Sequence, residues 1–324
     1  AERSEQRQQV QALKHESYPK ALLHVAIAAG KAWSAHRAAS KGAALALYTL
    51  FSLAPMLVLV VTIAGFIFGE DTVRNLLIEQ MGGLMGQQGA DAIQTILAGG
   101  EKKSSGGLFA GIISAVLVLV SATTAFTELK DSLDELWEVP KSTSSGLWSL
   151  IRERFLSFGL ILVLVLMLIS TLAVSTALAA VGNVFGGDAT GLFKIVSQII
   201  SNVIAFAVLT GLFAVIFKYM PAAKIDWKDV WVGALITAVL FTIGKFAIGL
   251  YVAHADLGST YGAAGSVVIL ITWIYYSAQI FFYGSLFTHE YAMTLGSKVN
   301  VEQPDAKKEG KAAQPQQAVP ALTR

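Results

Sequence analysis

No cysteine occurs in the 324-residue chain. That excludes disulfides, cysteine-ligated zinc or iron–sulfur sites and a thiol nucleophile. Charge is scarce too: 14% of the residues are Asp, Glu, Lys or Arg, against about 25% in a soluble domain. With 54% hydrophobic residues and a mean hydropathy of +0.60, much of the chain has to avoid water. A formal net charge of +2 is too small to point to nucleic acid. The histidines, His15, His24, His36, His254 and His289, form no HxHxDH-type cluster, so metal-dependent RNA hydrolysis has no ligand set. There is no GxxxxGK[ST] phosphate loop and no GxSxG elbow, which removes the signatures of an ATP-driven pump acting alone and of a serine hydrolase. The expectation is a protein without enzymatic activity, metal or cofactor. The first 40 residues lack a short apolar core with a small-residue cleavage site, so no cleavable signal peptide is expected.

What the chain has instead is long uncharged runs. A helix needs about 20 apolar residues to cross a bilayer. Residues 42–69, 104–127, 155–187, 195–217 and 257–288 carry no charge, and a sixth run, 230–253, is broken only by Lys245. The sequence therefore predicts an all-α integral membrane protein with six transmembrane helices, near 44–69, 107–127, 156–181, 195–218, 230–253 and 263–288. Lys and Arg collect in the N-terminal segment, in the second loop (Lys130, Lys141, Arg152, Arg154), in the fourth (Lys218, Lys224, Lys228) and in the C-terminal tail. The third loop holds only Lys194 and the fifth none. By the positive-inside rule both termini are expected in the cytoplasm.

Outside the spans, residues 1–17 read as a flexible N-terminal tail. Residues 18–42 place Leu22, Val25, Ala29 and Trp33 at helical spacing among basic residues, which predicts an amphipathic helix lying on the inner membrane surface. Residues 43–296 form the transmembrane domain, and residues 297–324, rich in Gln, Ala and Pro, a disordered tail. In the first external loop Val73, Leu76 and Leu77, then Ile93, Ile96 and Leu97, predict two short amphipathic helices. The stretch from Glu128 to Glu138 reads as an amphipathic cytoplasmic helix that packs Leu129, Leu133, Leu136 and Trp137 on the bundle. Trp137, Trp148, Trp227 and Trp231 also suit membrane-interface anchors.

Several stretches carry a family resemblance: ALYTLFSLAPMLVLV from Ala46, LDELWEVP from Leu133, YMPAAKIDWKDVWVGA from Tyr219, FTIGKFAIGLY from Phe241, and YGAAGSVVILITWIYYSAQIFFYG from Tyr261. In this order, over roughly Trp33 to Leu295, the chain resembles the YihY/BrkB family of bacterial inner-membrane proteins. It departs at Ala54, where a second bulky apolar residue is usual before the proline, and in both tails. The resemblance implies six spans and a multi-pass inner-membrane location. Members carry the labels ribonuclease BN, virulence or serum-resistance factor and transporter, and some are linked to export of lipid A precursors.

Lys245 is the feature that bears on function. It lies about 20 Å from Trp231 and about 12 Å from Ala253 along a helix. A central lysine costs roughly 2.5–3.5 kcal/mol on insertion scales. Its helical neighbours Ala234, Ala238, Thr242 and Gly249 are small or polar, which suits close helix contact or a polar cleft. Span six offers Gly262, Ser266, Thr272, Tyr276, Gln279 and Tyr283, and span three Ser170, Thr171, Ser175 and Thr176. Pro55 breaks the ladder of span one, and Gly262 and Gly265 suit helix packing or a gate. Asp256 and Tyr251 sit at the outer mouth. No carboxylate falls within a span; Glu128, Asp229, Asp256 and Glu290 lie at or beyond span ends. A conventional proton relay is therefore disfavoured.

Two readings of Lys245 stand side by side. It binds a phosphate or carboxylate, or it is structural, bonded to a carbonyl or a tyrosine or snorkelling outward. The first makes the chain a transporter or flippase for an amphiphilic, anionic substrate, with membrane lipids and their anionic headgroups as partners. Thr242, Thr272, Tyr276, Gln279 and Tyr283 would line the path. The alternative is a non-transporting scaffold that binds envelope components or partner proteins through its loops and tails.

Overall fold

The computed structural model describes residues 18–85, 87–103, 120, 124–139, 191–254, 264–297 and 300–301. They are almost wholly helical: α1 (Tyr18–Ala35), α2 (Ala38–Phe68), α3 (Glu70–Met85), α4 (Gln87–Lys103), α5 (residues 124–136), α6 (Gly191–Tyr219), α7 (Trp227–His254) and α8 (Gly265–Thr294). Two short strands, β1 (Ala223–Lys224) and β2 (Asn300–Val301), pair antiparallel. Among the described residues, α6, α7 and α8 contain segments long and apolar enough to cross a membrane, Gln198–Tyr219, Trp227–Val252 and Gly265–Thr294. A fourth candidate is α2, bent by 46° between Ala38–Ala54 and Met56–Phe68. The bend falls at Pro55, which lacks the N–H that would continue the ladder. The spans predicted near 107–127 and 156–181 fall almost wholly outside the described residues, as do Trp148, Ser170, Thr171, Ser175, Thr176, Asp256 and Gly262.

α8 is the hub and packs against α7, α2, α1 and α4. Its basic-end half is walled by phenylalanines. Phe217 and Phe281 stand 5.4 Å apart between ring centroids, Phe213 lies 6.1 Å from Phe281, and Phe213 meets Phe241 of α7 at 5.8 Å. These offset and edge contacts tie α6, α7 and α8 together where small residues alone would leave voids. The two helices predicted in the first external loop form as α3 and α4. Their apolar faces, Val73 and Leu77, then Ile93 and Leu97, close a second cluster with Leu57, Val60, Val61 and Ala64 of α2. Glu70 and Asp71 occupy the first turn of α3, where the helix dipole favours acids.

Three sequence expectations are revised. The N-terminal helix stops at Ala35; Arg37 adopts a left-handed conformation (φ 53°), and residues 38–42 belong to α2. The apolar face of α1 also meets protein. Val25 and Ala29 are buried, Leu22 and Trp33 pack on the same cluster, and Leu23 and Ile27 are exposed on the opposite face. Contacts between Tyr18 and Tyr291, and between Ala26 and Tyr283, run α1 antiparallel along α8, so protein packing has replaced lipid on that face. Finally, the start of the tail predicted as disordered is held. Ser297 bonds to Asp229, and β2 pairs with β1.

Candidate functional site

The seam between α7 and α8 is built on small residues. A Cβ on Gly233 would overlap the side chain of Thr288, and a Cβ on Gly284 that of Thr237. The pairs are reciprocal: each helix offers Gly then Thr four residues later, and the two motifs face each other head to tail. Each threonine donates its hydroxyl to the carbonyl of its own helix's glycine, at 2.7 Å. The polar atoms are thus satisfied without crossing the seam, and the backbones approach closely, as small-residue motifs allow in membranes. A turn further on, Gly244 meets the end of Ile280. The antiparallel register continues to Tyr251 and Tyr276, whose rings lie 6.2 Å apart.

This register sets Lys245 opposite the stretch of α8 around Ser277. Lys245 is half-buried. Among the described residues it forms no ion pair, and its Nζ stands 5.3 Å from the centroid of the Phe246 ring. Phe246 is 65% exposed, and Ile243 and Leu250 beside it are also exposed. The ammonium therefore sits at the rim of the seam, bordered by apolar side chains that face away from the protein.

The predicted polar stripe divides into groups. Thr242 and Thr272 return their hydroxyls to the carbonyls of Ala238 and Val268 on their own helices. Gln279 and Tyr283 point to the N-terminal helices: Gln279 Nε2 donates to the Ala39 carbonyl at 3.4 Å, and Tyr283 donates to the Ala26 carbonyl at 3.0 Å. They fasten α1 and α2 to α8 on a different side from Lys245. Tyr251 and Tyr276 meet across the α7–α8 seam and are exposed. Gly265 opens α8 in a buried position, and Pro55 marks the α2 bend. Sequence reasoning missed Trp273 and Ser277. Trp273 Nε1, Ser277 Oγ and Gln279 Oε1 are buried without a hydrogen-bond partner. Neither Trp nor Ser stands out in an aromatic, serine-containing run; only the missing partners mark them.

The basic end of the bundle is a closed polar knot. Trp137, 1% exposed, donates its indole N–H to Ser285 at 2.7 Å and stacks at a tilt on His289, 5.5 Å between centroids. Of its two predicted roles, bundle packing holds and interface anchoring does not; among the described residues Trp227 and Trp231 are the exposed tryptophans. Three of the acids around α5 are engaged within the chain. Asp134 pairs with Lys130 at 2.7 Å and accepts the Ala222 N–H at 2.7 Å, Glu135 pairs with Lys41 at 2.6 Å, and Glu138 lies 3.5 Å from His36. No three His, Asp or Glu side chains converge as a metal site among the described residues.

A family model described as virulence factor BrkB matches residues 29–311. A UPF0761 membrane protein of Actinobacillus pleuropneumoniae is 24% identical over 266 residues, 80% of this chain and 90% of that protein. One from Teredinibacter turnerae is 26% identical over 262 residues, 77% of this chain but 57% of its own length. A shorter match, 28% over 178 residues, covers 55% of this chain and 60% of a UPF0761 membrane protein of Glaesserella parasuis. No solved structure matches.

Proposed function

This chain belongs to the virulence factor BrkB family of membrane proteins, and we propose that it is a non-enzymatic transporter or flippase for an amphiphilic, anionic substrate, with lipid as the class favoured. In this reading it crosses the bacterial inner membrane six times with its basic end in the cytoplasm. The observation that carries the reading is Lys245. A cation stands at the exposed rim of two tightly packed apolar helices, and no predicted span contains a carboxylate to neutralise it. An intramembrane charge is costly and is retained where it does work. A phosphate or carboxylate headgroup reaching it from the bilayer would neutralise it while its chains stayed in lipid. The scaffold alternative would use the acids of α5, of which Asp134 and Glu135 already pair with Lys130 and Lys41 of this chain.

The test is lipid translocation in liposomes. Lys245→Ala is expected to insert and fold but to lose transport, and Lys245→Arg to keep part of it. Normal transport by Lys245→Ala would remove Lys245 from the site.

A further inference from the structure

Five threonine hydroxyls on these helices follow one habit. Thr210, Thr237, Thr242, Thr272 and Thr288 each donate to a carbonyl four residues back on their own helix, at 2.7 or 2.8 Å. Ser277 departs from it: its hydroxyl is buried and makes no hydrogen bond among the described residues. One turn earlier on the same face, the Trp273 indole N–H is also buried and unpartnered. Leaving such groups unpaired costs about as much as the hydrogen bonds themselves would supply, so two on one face call for an acceptor that arrives from elsewhere.

The register sets both near the level of Lys245 along the α7–α8 seam. The Trp273 ring contacts Phe241 of α7, 6.0 Å between centroids, and packs on the cluster formed by Ile248, Val252 and Ile269. Lys245 lies one helical turn from Phe241 and one from Ile248, so it shares the level of Trp273 and Ser277 on the facing helix.

We propose that Lys245, Trp273 and Ser277 form a donor-only site that selects a net-anionic phosphoryl group and rejects a zwitterionic headgroup. The proposal deepens the lipid-transport reading and rests on it for the direction from which the ligand arrives. An ammonium and an indole N–H can only donate, and the serine hydroxyl is free to do so. A phosphoryl group supplies several acceptor oxygens and the balancing charge. A headgroup carrying its own ammonium would face Lys245 with no span carboxylate to receive it. The exposed Ile243, Phe246 and Leu250 offer the lipid chains an apolar flank.

The test uses the full chain in nanodiscs that contain phosphatidylglycerol and phosphatidylethanolamine in equal amounts, with the lipid retained on gentle detergent release read by native mass spectrometry. The parent is expected to retain phosphatidylglycerol in at least tenfold excess. Trp273→Phe and Ser277→Ala should each cut that excess several-fold, as loss of one hydrogen bond to a charged group does, and Lys245→Met should abolish it. Ser277→Ala, the mildest change, keeps the test valid if Trp273→Phe unfolds. Inorganic phosphate is then added as competitor. No displacement supports the site with a lipid headgroup as its ligand, and displacement supports the same site with a soluble phosphate. An unchanged lipid ratio in all three variants, or equal retention of both lipids by the parent, overturns the proposal. Flipping measured on the same proteins separates the two readings. Selectivity without flipping would sink the transport reading alone, and flipping without selectivity would sink the donor site alone.

Discussion

Trp137 shows how one residue fixes the basic end of this molecule. Its ring is sealed among α5, α8 and His289, and its N–H reaches Ser285, 148 positions away in sequence. Truncation to Ala would leave a large cavity and an orphaned hydroxyl. A loss of about 3–5 kcal/mol is expected, read as a lower melting midpoint in detergent. Ser285→Ala removes only the acceptor and is expected to cost about 1–3 kcal/mol, because the buried indole N–H would be left unpaired. Similar losses for the two variants would mean that the hydrogen bond, not the packing, dominates. The nearby Lys41–Glu135 pair, with Glu135 half exposed, adds at most about 1 kcal/mol. Lys245 contrasts with Trp137. Nothing described around it needs an ammonium for folding, so its loss is expected to affect function more than stability.

At the scale of elements, the α7–α8 seam is the rigid unit against which a site can be held. Two reciprocal Gly–Thr contacts bring the backbones together, and the phenylalanine wall fixes α6 beside them. Gly284→Leu is expected to push the helices apart and to reduce folded yield sharply, since overpacking of a close contact costs about 1–3 kcal/mol or more. Thr237→Ala, which only relieves the contact, should be tolerated. Fluorescence-detected size exclusion of the two variants separates the outcomes, and a monodisperse Gly284→Leu would argue that the seam is not tight. The long uncharged runs located α7 to within a turn and α8 to within two, and helical spacing of apolar residues found α3 and α4. Neither could find the pairing of Gly233 with Thr288, because nothing in either helix alone says which small residue meets which.

Across the whole molecule, distant segments are clasped at the basic end. Asp229, in the first turn of α7, accepts both the N–H and the hydroxyl of Ser297, at 2.9 and 2.6 Å. Gly296 lies so close to that carboxylate that a Cβ would strike it. With β1 paired to β2, the α6–α7 connection is tied to the chain leaving α8. Asp229→Ala is expected to release this segment and to speed limited proteolysis just beyond residue 297 several-fold, while the bundle stays intact. Unchanged cleavage would mean that the strand pairing alone holds the segment.

The sequence by itself determined that this is a helical membrane protein, placed the apolar helices α2, α6, α7 and α8, and singled out Lys245. Solvent exclusion acts on composition, so twenty apolar residues, or one charge among them, can be read without knowing any neighbour. Only the tertiary structure decided that α1 packs on α8, that Tyr283 and Gln279 serve the N-terminal helices, and that Trp273 packs on Phe241, Ile248, Val252 and Ile269. Those facts depend on helix register and rotation, which are set by contacts between residues hundreds of positions apart, and a local pattern carries no record of them.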